Sequence, residues 1–236
     1  MSKDLKTRLR EKKEKIEAGG GNFNYFLQTK PGRMRMRLVP VGEDNDWGLE
    51  IIHFYPSKEI GGIISPASFG EKCALNALYE KLMAGSSKDK EIAKKMNRKK
   101  KYVSLAYRFK DEEGKEPDVE AGVKPLLYTK DPYLTLLDEF LEDTGDFTHP
   151  LEGFDVIFMR KGTGQMDTKY TAKLAKKSTK CLKAFRGPYN LEEEIRKTMP
   201  SYDQTKEIRD KWLNGSSTEE GSKSSGKKKK KKKKDL

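Results

Sequence analysis

Between Arg160 and Lys173 the chain places Arg160, Lys161, Lys169, Tyr170 and Lys173 around the turn-forming triplet Gly162-Thr163-Gly164. Ammonium and guanidinium groups pair with phosphates, and a tyrosine ring offers a face to any base. The mixture therefore suits a single nucleic-acid strand. Rings and cations recur together in strand-like settings at Lys101, Tyr102, Tyr107 and Arg108, and again at Lys124, Tyr128 and Lys130. Stacking contributes roughly 1–3 kcal/mol per base and tolerates any sequence. These clusters predict a binding groove in which Arg35, Arg37, Lys101, Arg108, Arg160, Lys161, Lys169 and Lys173 meet phosphates. Tyr102, Tyr107, Tyr128 and Tyr170 are the expected stacking rings.

Other chemistry has little to stand on. The two histidines, His53 and His149, lie in no nucleophile or zinc-hydrolase pattern, and there is no Gly-Lys-Ser/Thr phosphate loop. The acids Asp111-Glu112-Glu113 and Glu192-Glu193-Glu194 are contiguous, a pattern that usually only solvates. No enzyme is expected. A closed structural zinc site takes four N/S ligands, and His53 and Cys73 are the only candidates, so neither metal nor other cofactor is expected. Cys73 is instead expected to pack against a helix.

Composition narrows the class. Apolar residues make up 34% and charged residues 37% of 236 residues, enough for a core with much of the chain outside it. The formal charge is +13, but the run Lys227–Lys234 with Asp235 contributes +7, eight lysines less one aspartate, and leaves +6 for the rest. The body is only moderately basic, so binding must rest on where its cations sit. No apolar run approaches the roughly 18 residues of a membrane span, and the charged N-terminus lacks a secretory apolar region. Two cysteines far apart in sequence make no disulfide framework, which points to a reducing cytoplasm.

Three segments are expected: a basic arm over 1–21 ending in Gly19-Gly20-Gly21, a core over 22–213, and a disordered lysine-rich tail over 214–236. The core reads as mainly β with helical insertions. NYFLQ, RMRMRLVPV and WGLEIIHFYP are expected strands. In the second, Met34, Met36 and Leu38 alternate with Arg33, Arg35 and Arg37, one face buried and one cationic. Such arginines need either phosphates or neighbouring carboxylates opposite them. A helical insertion is expected near 60–100, with Ala74, Leu75, Leu78, Leu82 and Met83 at helical spacing and a cationic helix or loop over Lys88–Lys101. Strands follow at KKKYVSLAYRF and VKPLL, separated by the acidic loop DEEGKEPDVEAG. Tyr107 and Phe109 share one face, with Tyr102 on the other. A helix over Asp131–Asp143 is expected to be capped by Asp131 and to bury Leu134, Leu137 and Leu141. The hairpin Gly153–Thr179 comes next, then short helices at Leu191–Thr198 and Gln204–Leu213.

The order of these features resembles the phage single-stranded DNA-binding proteins of the T-even helix-destabilising type. The resemblance runs from Phe23 to about Leu182. It is carried by PGRMRMRLVPVGEDNDW with IIHF, FGEKCALNALYEKL, KKKYVSLAYRF, DPYLTLLDEFL and GFDVIFMRKGTGQMDTKYTAKL. It implies an OB-type five-stranded barrel with a helical insertion and flanking helices. The implied function is sequence-tolerant coating of exposed strands in phage replication, recombination and repair. The N-terminal arm would contact neighbouring copies along the strand, and replication or recombination proteins would be further partners. The family's zinc subdomain matches at His53 and Cys73 but meets Ser65 and Asn76 where cysteines would fall. An alternative from another class is an RNA-binding or assembly protein whose lysine tail carries the affinity.

Overall fold

The computed structural model describes residues 25–27, 29–41, 46–57, 59–162 and 168–221, with side chains described outside 142, 143 and 216–221. The expected N-terminal arm, the tip of the Gly162 turn and the lysine run lie outside the described residues.

Seven strands form one antiparallel sheet: β1 (Gly32–Leu38), β2 (Leu49–Phe54), β3 (Ile63–Ile64), β4 (Lys99–Arg108), β5 (Lys124–Tyr128), β6 (Phe154–Lys161) and β7 (Lys169–Ser178). The pairing path is β3-β2-β4-β1-β6-β7, with β5 on the other edge of β4. Among the described residues β5 and β7 do not pair, so the sheet is not closed into a barrel. The helices are α1 (Ala74–Ala84), α2 (Ser87–Lys95), α3 (Lys130–Asp138, continued by a wider π turn over Glu139–Asp143), α4 (Leu191–Arg196) and α5 (Tyr202–Gly221). The mainly β architecture with helical insertions is thus as the alternation implies.

Period two divides the sheet into two faces. Met36, Leu38, Ala106, Leu126, Tyr128, Val156, Phe158 and Ala172 form one core, covered by α3, which packs against β7. On the opposite face Ile51, Val103, Leu105 and Tyr107 form a second core, covered by Cys181, Leu191 and Ile195 of the C-terminal segment. Beyond β4 the same face is buried at Arg37, Asp155 and Ile157 and open to solvent at Arg33, Met159, Lys161, Lys169, Thr171 and Lys173.

Several expectations change in detail. Tyr25–Leu27 is not a strand; Leu27 is pinned to the edge of β5 by one hydrogen bond from its N–H to the Pro125 carbonyl, 2.8 Å. α3 starts before Asp131, with Thr129 as its extended N-cap. Its buried side is Pro132 and Leu136, with Tyr133, Leu137 and Phe140 packed alongside, whereas Leu134 and Leu141 are exposed. Rings at 133 and 140 outweigh the leucines because they bury more apolar area. α5 begins at Tyr202 and runs through Asn214 to Gly221 instead of spanning Gln204–Leu213, since extending a nucleated ladder costs little.

The helical insertion has its own small core. Phe54, Ile63, Cys73, Leu75 and Met96 pack with Trp212 of α5. The first N–H of α1, Ala74, donates to Thr205 Oγ1 of α5 at 3.1 Å. α5 therefore supplies both an anchor and a cap to an insertion far away in sequence.

Candidate nucleic-acid interface

The solvent-facing side of β1, β6 and β7 can be read row by row from the strand registers. Arg35 lies opposite Ile157 and Ile157 opposite Lys173; Arg33 opposite Met159 and Met159 opposite Thr171; Lys161 opposite Lys169. Phe109 joins the row of Arg35, to whose carbonyl it donates a backbone bond of 3.0 Å, and the Arg35 guanidinium sits 5.8 Å from its ring centre. β6 therefore sets buried Ile157, 8% exposed, and exposed Met159 between a row of arginines on β1 and a row of lysines on β7. At about 4.8 Å per strand the two cation rows stand roughly 10 Å apart. Met159 is 36% exposed, and Arg33, Lys161, Lys169, Thr171 and Lys173 are exposed.

A carboxylate answers the crowding of the arginines on β1. Arg35 donates through Nε and Nη2 to Asp155 at 2.8 and 2.7 Å. Asp155 also accepts from Thr179 Oγ1 at 2.7 Å and lies 3.9 Å from Nη1 of Arg37. Arg37 is a correction: expected at phosphates, it is 0% exposed, with Nη2 donating to the His149 carbonyl at 2.6 Å. Burial pushes its pKa down from the usual arginine range, with Asp155 opposing that shift. Gly153 is required beside it, because a Cβ there would fall 2.5 Å from Arg37 Nη2.

The stacking rings are corrected as well. Tyr107 is 1% exposed, packed on Phe109 and Phe185, and burial pushes its hydroxyl well above the usual range. Tyr128 is 1% exposed, its hydroxyl 2.6 Å from that of Ser104. Neither has a face to offer a base. Tyr102 is half-buried and already stacked on Tyr133, centroids 4.1 Å apart, and its hydroxyl donates to Glu50 at 3.0 Å. Tyr170 and Arg160 oppose each other on the core side of the β6–β7 ribbon, both held by Thr29, so period two separates them from Lys161, Lys169 and Lys173.

Two further cations sit elsewhere. Arg108 is bound to Asp118 at 2.8 Å. Lys101 lies half-buried at the far end of β4, on the β2 side, where burial and then Lys99 depress its amine to about 8. The twelve expected residues therefore do not form one groove. Lys161, Lys169, Lys173 and Arg35 share a face; the rest are interior, committed to neighbours or on other sides. Arg33, Phe109 and Met159 belong to that face and were absent from the expected set, as was Asp155. Continuing the alternation of Lys169 and Lys173 across to odd-numbered positions of β6 and β1 is the signal that finds them.

Among the described residues no group of three or more His, Cys, Asp or Glu could hold a metal ion. His53 is 6% exposed against Gly62, and burial, with Lys101 and Lys99, lowers its pKa to about 3. Cys73 is buried in the insertion core, Ser65 accepts from the Ala67 N–H, and Asn76 accepts from Arg98. Among the described residues no helix is long and apolar enough to cross a membrane. No protein-family model matches the chain, and no curated protein matches it.

Proposed function

We propose that the open face of β1, β6 and β7 binds single-stranded DNA without regard to sequence, coating exposed strands as phage replication, recombination and repair require. The observation that carries the reading is exposed, apolar Met159 on β6, next to buried Ile157 and flanked by cations: Arg33 and Arg35 on one side, Lys169 and Lys173 on the other. Phosphates follow the cations, while bases lie on Met159 and Phe109 in place of the buried tyrosines. Contacts of this kind read charge and apolar surface, which every strand supplies, and no groups on base edges. On this reading the sheet is an OB-type core opened between β5 and β7, with α3, which follows β5 and packs against β7, spanning the gap.

Fluorescence titration with oligo-dT at two salt concentrations tests the face. Replacing Lys161, Lys169 and Lys173 by Ala should weaken binding and flatten the slope of log K against log salt by roughly 2, at about 0.7 per lost phosphate contact. All three are exposed, so the urea midpoint should hold. Unaltered affinity and slope would remove this face from consideration. Parallel titrations with duplex DNA and RNA establish which polyanion is preferred.

A further inference from the structure

We infer that the acidic loop between β4 and β5 is a built-in cap on the arginine row, so that a strand entering the face must displace it; this rests on the DNA-binding reading of that face. Residues 111–120, DEEGKEPDVE, hold six acids against one lysine. The loop is pre-shaped at its base. Lys110 N–H donates to the Glu116 carbonyl, Asp118 N–H to the Arg108 carbonyl, and the Asp111 carboxylate accepts from the N–H groups of Lys115 and Glu116.

Its tip folds back onto β1. Nη1 of Arg35, the nitrogen that Asp155 does not take, donates to the Glu113 carbonyl. The next residue, Gly114, has φ +78°, and a Cβ there would fall 2.3 Å from Arg35 Nε. Only glycine allows so close a seat. The Arg35 side chain is left 16% exposed, its guanidinium between the loop and Phe109. The loop thus occupies the donor a phosphate would use and carries its net negative charge to this edge of β1, the Glu113 carboxylate pairing with Lys115 of the loop itself. A phosphate chain meets both a competitor for Arg35 and like charge at this edge, whereas the lysine row on β7 stays open. The wild-type face therefore binds below its capacity.

Two kinds of variant separate steric from electrostatic release. Gly114→Ala changes no charge but cannot keep its seat on Arg35; Glu112→Gln with Glu113→Gln removes charge and keeps the seat. In oligo-dT titrations of the full chain at low salt, each should bind at least threefold more tightly. The gain of the glutamine pair should shrink at high salt as screening grows. Glu91→Gln, an exposed acid on α2, should leave affinity unchanged. The cap is overturned if wild-type protein binds through its lysines while both loop variants bind equally well or more weakly, or if Glu91→Gln gains as much. Wild-type protein that does not bind oligo-dT at all overturns the face itself, and the cap with it.

Discussion

Asp155 is the residue on which the arginine row depends. It is 1% exposed and neutralises Arg35 directly, with Arg37, 0% exposed, close behind. Removing one member of a buried charge network leaves the others uncompensated. Asp155→Ala should therefore destabilise the fold by about 3–5 kcal/mol, seen as a lower urea midpoint. A loss under about 1 kcal/mol would mean that water reaches Arg37. His53 gives a second prediction at this scale. Its folded pKa, lowered to about 3, lies below the unfolded value, so the unfolded chain binds the extra proton between about 6.5 and 3. Stability contributed by neutral His53 is present above pH 6.5 and is lost as the pH falls toward 3. By pH 5 the loss should reach roughly 2 kcal/mol, and His53→Leu should abolish it. An unchanged pH profile in that variant would rule out His53 as the source.

At the scale of elements, alternation on β6 and β7 decides what a strand can present. Lys169, Thr171 and Lys173 point one way and Tyr170 the other, so a ring and a cation adjacent in sequence cannot share a surface on these strands. The cations Lys161, Lys169 and Lys173 mark the open side of the ribbon, with Met159 among them, since Val156, Phe158, Ala172 and Leu174 claim the other. The insertion is likewise decided by a partner element. Trp212 is 6% exposed in its core, and Thr205 caps α1. Trp212→Ala should cost about 3–5 kcal/mol by opening a cavity there. Hydrogen exchange should rise in α1 and α2 while β1, β6 and β7 keep their protection. Uniform loss of protection across the sheet would show that the insertion does not open separately.

For the whole molecule the question is whether the folded face or the lysine run carries the affinity. Residues 222–236 hold the eight-lysine run. Deleting them should leave oligo-dT binding in place, with a shallower salt dependence from the lost cations. Binding that disappears with the tail would favour the alternative, an RNA-binding or assembly protein whose tail gathers polyanions and whose sheet serves another partner. The deletion should not move the urea midpoint, because α1 and α2 are held by residues up to Trp212.

The sequence by itself determined most of the strands, though not β3 and with Tyr25–Leu27 wrongly among them, as well as the α-helical part of the insertion and the cationic side of β1, because side chains two apart must share a strand face whatever the strand packs against. It also placed Lys161, Lys169 and Lys173 at solvent, since unpaired ammonium groups are too costly to bury. Only the tertiary structure decided which of two faces each ring would occupy. Tyr107 went inside because α4 and its preceding segment cover that part of the sheet, and Arg37 went with it because Asp155 was there to meet it. A single strand's period cannot say what lies above it; that is decided by distant segments competing to bury the same apolar surface.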